Sequence, residues 1–181
     1  MVSDSTFSSN SAFGGGILAE GVTTITNCTF SGNTGTEVYN SNGTMTVTST
    51  TFNSGTGGSL GACCNGASTT FGNSILQTVG GSHIVSAGYN LVANAGGFTS
   101  ATGDQTGVIP PLDALGNYGG PTQTMMPTLP LATNPAIAVI PPASCTVTTD
   151  QRGQSRPSSL NANGYCDVGA VERQSGDSAY P

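Results

Sequence analysis

The feature that most constrains this chain is a short segment that recurs at a nearly constant spacing. Its clearest copy is Thr24–Asn33, and its most recognisable position is a large apolar residue. In four successive copies, spaced 23, 22 and 24 residues apart, that position is occupied by Phe7, Phe30, Phe52 and Leu76. A period in the low twenties, built from strand-forming and turn-forming residues, is typical of a solenoid and too short for a helix-pair repeat.

A second apolar column follows the same period. With spacings of 21, 22 and 24 residues, it consists of Ile17, Val38, Leu60 and Ile84. We predict that both columns stack in the interior, with consecutive turns about 4.8 Å apart. The sequence thus predicts an all-β fold, a parallel β-helix with ~22–24 residues and about three short strands per turn. The general crossover preference of parallel strands makes it right-handed.

Each copy also contains a residue suited to a sharp bend. Asn27 lies between Ile25 and Cys28, two inward positions that a straight strand would place on opposite sides. A bend at Asn27 removes the conflict, because Asn and Asp tolerate the left-handed backbone conformation. In the other copies the equivalent residues are Asp4, Ser49 and Asn73.

The chain divides into two parts. The solenoid pattern covers residues 1–98, and residues 99–181 form a linker and a C-terminal capping module. Seven of the ten prolines lie between Pro121 and Pro157. Because proline cannot donate to a β-ladder, this module should be largely loop. We expect it to cover the end of the solenoid, since terminal repeats must hide their open edge and core.

The first turn predicts self-association. Met1–Asp4 enters directly into a repeat, without the charged and apolar regions of a signal peptide, so we expect a processed product or a fragment. An uncapped turn exposes unpaired backbone groups, and this one carries only Asp4 as a charge. Head-to-tail docking of copies through this edge would generate a filament. A missing upstream segment is the alternative.

Several motifs resemble a known family. Phe-x-x-Asn occurs at Phe7–Asn10 and Phe30–Asn33, as in the repeats of polymorphic outer-membrane-type bacterial surface proteins. Four more motifs are similar, in order, to the tail of bacterial proteins named for a choice-of-anchor Q domain; they span residues 117–124, 134–137, 149–157 and 166–172. That family has an acidic residue where this chain has Ala138. The resemblance covers nearly the whole chain and implies a secreted right-handed β-helix, extracellular or on the cell surface.

The five cysteines fall into three groups. In a secreted protein we expect a disulfide between Cys145 and Cys166. It would close a loop of about 20 residues and stabilise it by roughly 3 kcal/mol, two buried thiols being the alternative. Cys28 is expected to be a core thiol. The adjacent Cys63 and Cys64 form either a vicinal disulfide or a link to another partner.

Charge restricts the partners. The chain has no Lys and three Arg against nine acidic residues, and its net charge is −6. Nucleic-acid binding requires a basic face, and so does attraction to anionic membranes. No run of about 18 apolar residues occurs, so we predict no transmembrane segment. We therefore expect neither nucleic acid nor a membrane as partner.

Catalysis is the next question, because parallel β-helices include polysaccharide lyases and hydrolases. Such reactions need clustered carboxylates and a base. The solenoid offers only three acids and no Arg or Lys; the acids are Asp4, Glu20 and Glu37. We expect His83 to be an exposed turn residue, and we expect no zinc site or cofactor.

The remaining charges gather in the C-terminal module. They are Asp150, Arg152, Arg156, Asp167, Glu172 and Arg173. Three Arg with three acids in one proline-rich segment predict ion pairs that fix loops rather than a catalytic site.

These points favour a non-enzymatic, extracellular structural or adhesive surface protein. Its partners would be other copies of itself or cell-surface glycans. The alternative is a carbohydrate-active or carbohydrate-binding β-helix similar to polysaccharide lyases. Outward threonines, such as Thr24, Thr26, Thr46 and Thr48, predict a hydroxyl array suited to glycans or ice. The simpler interpretation is that Thr is a good strand former that faces water.

Overall fold

The computed structural model describes residues 1–64, 66–130 and 133–177, and it is an all-β parallel solenoid of about four turns. Its strands are β1 (Val2–Ser3), β2 (Thr6–Ser8), β3 (Ser11–Thr26), β4 (Thr29–Ser31), β5 (Thr34–Thr48), β6 (Thr51–Asn53), β7 (Leu60–Ala62), β8 (Ser68–Gly72), β9 (Ile75–Gly81), β10 (Ile84–Gly88), β11 (Leu91–Gly96) and β12 (Gln105–Thr106). All pairings between these strands are parallel. The fold class expected from the repeat is therefore confirmed.

The solenoid has three faces around one interior, each named here by a buried residue. On the Ile25 face the backbone register stacks Val2, Ile25, Val47 and Phe71. On the Phe30 face it stacks Phe7, Phe30 and Phe52. On the Val38 face it stacks Ile17, Val38, Leu60 and Val79. The strands β3 and β5 are long because each runs along both the Val38 face and the Ile25 face.

The Phe30 face carries an aromatic stack. The Phe30 ring lies between Phe7 and Phe52, with centroids 4.9 Å away on either side and interplanar angles of 6° and 13°. The column continues through Leu76, which pairs with Val92 in the following turn. Since identical side chains repeat at the strand spacing, rings in one rotamer lie parallel and exclude water from this edge of the core.

One member of the second predicted column is wrong. Leu60 pairs with Val79, whereas Ile84 pairs with Thr69 on the Ile25 face. The physical reason is that the turns shorten: Val79 follows Leu60 by 19 residues, so extending a period of 24 reached the next face. Ile84 is still buried, at 8% exposure.

The predicted bend is present in every copy of the repeat. Asp4, Asn27, Ser49 and Asn73 have φ values between 49° and 55°. Each donates its backbone N–H to a carbonyl of the following turn. Tyr89, with φ of 56°, continues the column in a turn that the sequence pattern did not identify.

The ladder also continues beyond the predicted boundary at residue 98. The strand β12 pairs with β11, placing Gln105 beside Leu91 and Thr106 beside Val92. Phe98 packs against the main core, with its ring edge-on to Phe71 at 5.1 Å. The segment expected to be the start of a linker thus completes one more short turn.

A carboxyl group is buried inside the solenoid. Glu37 is 0% exposed. Its Oε2 accepts a hydrogen bond from Asn33 Nδ2, and its Oε1 has no hydrogen-bond partner in the described part of the chain. Asn33 in turn accepts hydrogen bonds from the backbone and side chain of Asn10 in the previous turn, at 2.8 and 2.9 Å. The solenoid interior is therefore not wholly apolar.

Replacing Phe30 with Ala should test the aromatic stack. Removing a fully buried ring from between two others should lower the free energy of unfolding by about 3–5 kcal/mol. Phe13→Ala is the matched control, because Phe13 is 71% exposed, and it should cost less than about 1 kcal/mol. Urea denaturation measures both values, and similar losses in the two variants would contradict the stack.

Glu37 should make the protein less stable as pH rises. Burial raises the pKa of Glu37 from 4.5 to about 7, and the hydrogen bond from Asn33 opposes this shift. Below pH 4.5 the carboxyl is protonated in both the folded and the unfolded chain, so its contribution to stability is fully present. As pH rises through 7, the folded chain must ionise a buried group, and stability falls by on the order of 2–3 kcal/mol.

Glu37→Gln should flatten this part of the pH profile, measured as the free energy of unfolding from pH 4 to about pH 8 in urea. The exposed Glu20→Gln is the control and should leave the slope unchanged. A slope in Glu37→Gln equal to that of the parent protein would refute the assignment.

Candidate functional site

The C-terminal module lies along one side of the solenoid. The Gln151 side chain is hydrogen-bonded to Thr29 Oγ1 at 2.6 Å and donates to Thr6 Oγ1 at 2.9 Å. Thr122 donates to the Asp4 carbonyl at 3.2 Å. These contacts hold the first two turns of the Phe30 face.

The bend residues provide further contacts with the module. Asn27 Nδ2 donates to the Thr149 carbonyl and Asn73 Nδ2 to the Ser144 carbonyl, both at 2.9 Å. Asparagine at these positions therefore allows the positive φ and also binds the module. In the turn between them the bend residue is Ser49, and the contact comes instead from Thr51 Oγ1, which accepts the Ala170 N–H at 2.9 Å.

Apolar packing extends this contact to the later turns. The outward side chains of Ile75 and Leu91 form a second core with residues of the module, namely Ala136, Ile140, Cys166 and Val168. The contacts thus run across the turns from Asp4 to Leu91, along a side of the solenoid, where the sequence predicted that the module would cover the end. The outward residues of the repeat carried no visible signal for this, because Thr and Ile are ordinary strand residues on either side of a sheet.

The cysteines are arranged as three separate groups. Cys145 and Cys166 form a disulfide with a Cα–Cα distance of 5.9 Å, and Cys166 is fully buried. Cys63 and Cys64 form a vicinal disulfide in the loop after β7. Cys28 is a buried free thiol, and burial raises its pKa to about 11, so it remains protonated at neutral pH. The pairing of Cys145 with Cys166 is the one expected from the sequence.

The charged residues of the module converge in its interior. Arg152 Nε pairs with Asp150 Oδ2 at 2.9 Å, and its Nη1 pairs with Asp177 Oδ1 at 2.9 Å. Arg156 Nη1 pairs with Glu172 Oε2 at 3.2 Å. Burial lowers the pKa of Arg152, but its bonds to Asp177 and Asp150 more than compensate, so the net shift is upward. The predicted ion pairs are present.

The guanidinium of Arg156 also organises the backbone. It donates to the Asp167 carbonyl at 2.9 Å and to the Gly169 carbonyl at 2.5 Å. Burial lowers the pKa of Arg156 and the nearby Glu172 carboxylate opposes that shift. Arg156 thereby fixes the 167–169 segment, which contacts the solenoid through the Gly169 N–H and the Asn73 carbonyl.

Two carboxyl groups, Asp167 and Glu172, could resemble an acid–base pair. Burial raises both pKa values, that of Glu172 to about 7, and for Glu172 the neighbouring Asp167 adds to the shift. Every one of their oxygens, however, accepts a hydrogen bond from the module's own backbone N–H groups. The donors are the N–H groups of Ala138, Ser158, Asp167 and Arg173.

This arrangement stabilises loops and leaves no carboxylate oxygen open to a substrate. Asp167 and Glu172 are both 0% exposed. Ala138, where the resembling family has an acidic residue, has φ of 54° and donates to Asp167. His83 is exposed and lies in a turn with φ of 59°, as expected. Among the described residues there is no group of three or more metal-binding side chains.

Two outer faces of the solenoid remain as candidate binding surfaces. On the Ile25 face the register stacks Thr24, Thr46 and Thr70 in an outward column, of which Thr46 is the most exposed class of residue. Thr26 and Thr48 stack beside it and are half-buried. The column ends in Val85, so the hydroxyl array spans three turns.

The Val38 face carries the other surface, which sequence reasoning missed. Its outward residues Phe13, Leu18 and Tyr39 form an apolar strip. Phe13 and Leu18 are 71% and 55% exposed. Phe13 stands just before three glycines and outside the repeating columns, and an aromatic residue that the core pattern does not use was the available signal.

Comparison with known proteins identifies no relative: no family model matches the chain, and no curated protein or solved structure is similar to it. In the described part of the chain, no helix is long and apolar enough to span a membrane.

Gly169→Ala should detach the module from the solenoid. Gly169 has φ of +94°, and an added Cβ would lie 2.6 Å from Thr51 Oγ1 and 2.7 Å from Ile75 Cδ1. Gly153 has φ of +81° with no atom within 4 Å of such a Cβ, so Gly153→Ala is a control for backbone strain alone, about 1–2 kcal/mol. Gly169→Ala should lose about 1–3 kcal/mol more, because two packed elements must separate.

Urea denaturation and limited proteolysis of the module measure this difference. Equal stability and equal cleavage rates in the two variants would show that the contact at Gly169 does not hold the module.

Proposed function

We propose that this protein is a non-enzymatic component of a bacterial cell surface or extracellular matrix, and that it acts as a rigid structural or adhesive scaffold. The observation that carries the proposal is the division of its groups between interior and exterior. The charged groups of the module are bonded to one another and to backbone, whereas the free faces of the solenoid are uncharged and lined by hydroxyl and apolar side chains.

The way the module is fixed supports a scaffold. It is attached to successive turns by hydrogen bonds from the bend and by the second apolar core. The disulfide at Cys145 and Cys166 joins two of its loops, and such bonds persist in oxidising, extracellular environments. A protein held in this way resists shear between its turns and its module.

The resemblance to the choice-of-anchor Q proteins supports a surface location. The motif residues that carry it, such as Asp150, Arg152 and Glu172, are those of the buried ionic network. Their role in this chain is to fix loops, which accounts for such a pattern without a catalytic requirement.

Antibody labelling of intact cells of the source organism tests the location. We expect labelling at the outer surface that is lost after brief treatment of whole cells with protease. Labelling that appears only after the cells are lysed would contradict a surface role.

Carbohydrate binding or cleavage is the second candidate, and the exposed threonine column on the Ile25 face is the observation that favours it. Co-sedimentation with insoluble polysaccharides, together with an assay for new reducing ends and unsaturated products, separates the two activities. We expect retention without product. Product release by the native chain, absent from heat-treated protein, would overturn the non-enzymatic proposal.

Head-to-tail self-assembly through the first turn stays a prediction. Electron microscopy and light scattering of the native chain test it, and a soluble monomer would remove it while leaving the scaffold proposal unaffected.

A further inference from the structure

The apolar strip on the Val38 face is a distinct feature of the solenoid surface. The rings of Phe13 and Tyr39 meet edge to face, with centroids 4.8 Å apart and an interplanar angle of 68°. Leu18 pairs with Tyr39 across neighbouring strands and is 55% exposed. Three large apolar side chains therefore present one continuous surface to solvent.

The next turns leave open space beside the strip. Tyr39 pairs with Gly61, and Gly61 pairs with Gly80. The Tyr39 ring leans over Gly61, since a Cβ added there would lie 2.9 Å from Tyr39 Cδ2. At Gly80 such a Cβ would meet no atom within 4 Å. The strip thus continues into a shallow trough that crosses the turns without side chains.

Hydrogen-bonding groups lie along the edge of the strip. Glu20 is two residues beyond Leu18, and Ser41 is two residues beyond Tyr39. Ser41 Oγ donates to Glu20 Oε1 at 3.3 Å, and Glu20 is exposed. The second Glu20 oxygen can therefore accept a hydrogen bond from a ligand lying on the strip.

We infer that the apolar strip and the glycine trough form a binding subsite for a neutral glycan chain. A sugar ring has an apolar C–H face that packs on an aromatic face, whose electron density attracts C–H groups, and a rim of hydroxyl donors that suits Glu20 and Ser41. Charge agrees, because residues 1–98 contain no Arg or Lys to bind an acidic polymer. Three side chains are also too small a surface for a stable protein partner, which needs about 800 Å² per side.

The inference rests on the adhesive function proposed above, and a pair of variants tests the site itself. Phe13→Ser removes the most exposed ring. Val22→Ser is the matched control, because Val22 is 87% exposed but lies at the start of the Ile25 face. Gly80→Val is a second test: Gly80 has no positive φ and free space around its Cα, so the chain should fold with the trough filled.

The probe is an array of neutral oligosaccharides of glucose, galactose, mannose and N-acetylglucosamine, with uronic-acid oligosaccharides alongside. We expect the parent protein to bind a neutral chain, Phe13→Ser and Gly80→Val to bind it roughly tenfold more weakly or worse, and Val22→Ser to bind unchanged. Circular dichroism and urea denaturation confirm that each variant is folded.

Other results overturn the inference in distinguishable ways. Undiminished binding by Phe13→Ser and Gly80→Val places the glycan elsewhere and leaves the adhesive function intact. No binding to the array by a protein that is nevertheless labelled on intact cells removes the glycan subsite but not the scaffold. A parent dimer that Phe13→Ser converts to a monomer would show that the strip is a contact between copies instead.

Discussion

Every turn of this solenoid changes direction at a residue with positive φ, and those residues lie directly above one another. This column fixes the angle between the Ile25 face and the Phe30 face, so both interior columns depend on it. It also determines where the module binds. The Asn27 and Asn73 side chains project from the bend and donate to Thr149 and Ser144. Asparagine satisfies both requirements, because its short amide tolerates the left-handed conformation and carries two N–H donors.

The module depends on the solenoid and on its own buried charges rather than on regular secondary structure. Proline-rich loops leave backbone N–H and C=O groups without ladder partners, and a buried group of this kind is costly unless it is paired. Asp150, Asp167 and Glu172 accept such N–H groups, while Arg152 and Arg156 donate to carbonyls. The ionic side chains thus replace a β-ladder. A single truncation, for example at Arg156, would leave both Glu172 and two carbonyls without their donor.

The repeat and the bend could be predicted from the sequence because each depends on neighbouring residues within one turn. The phenylalanine column needed only a constant spacing, and Asn27 betrayed itself through a conflict of phase. Ile84 was misplaced since the period shortens in later turns, and nothing local signals a lost loop. The position of the module was missed for a different reason. Its contacts join residues more than a hundred positions apart, such as Thr29 and Gln151, and no pattern within a repeat records them.

The same separation explains why the surface is the place to look for function. In a solenoid, each inward position is determined by the residue stacked above it, so a change there affects stability first. Charges placed inside the module are likewise committed to loops. Outward positions are constrained only by strand propensity, which Thr, Tyr and Phe all satisfy. A large apolar side chain there, as at Phe13, gains little from the core and faces water. Phe13 and its neighbour Tyr39 are therefore explained better by a ligand than by folding.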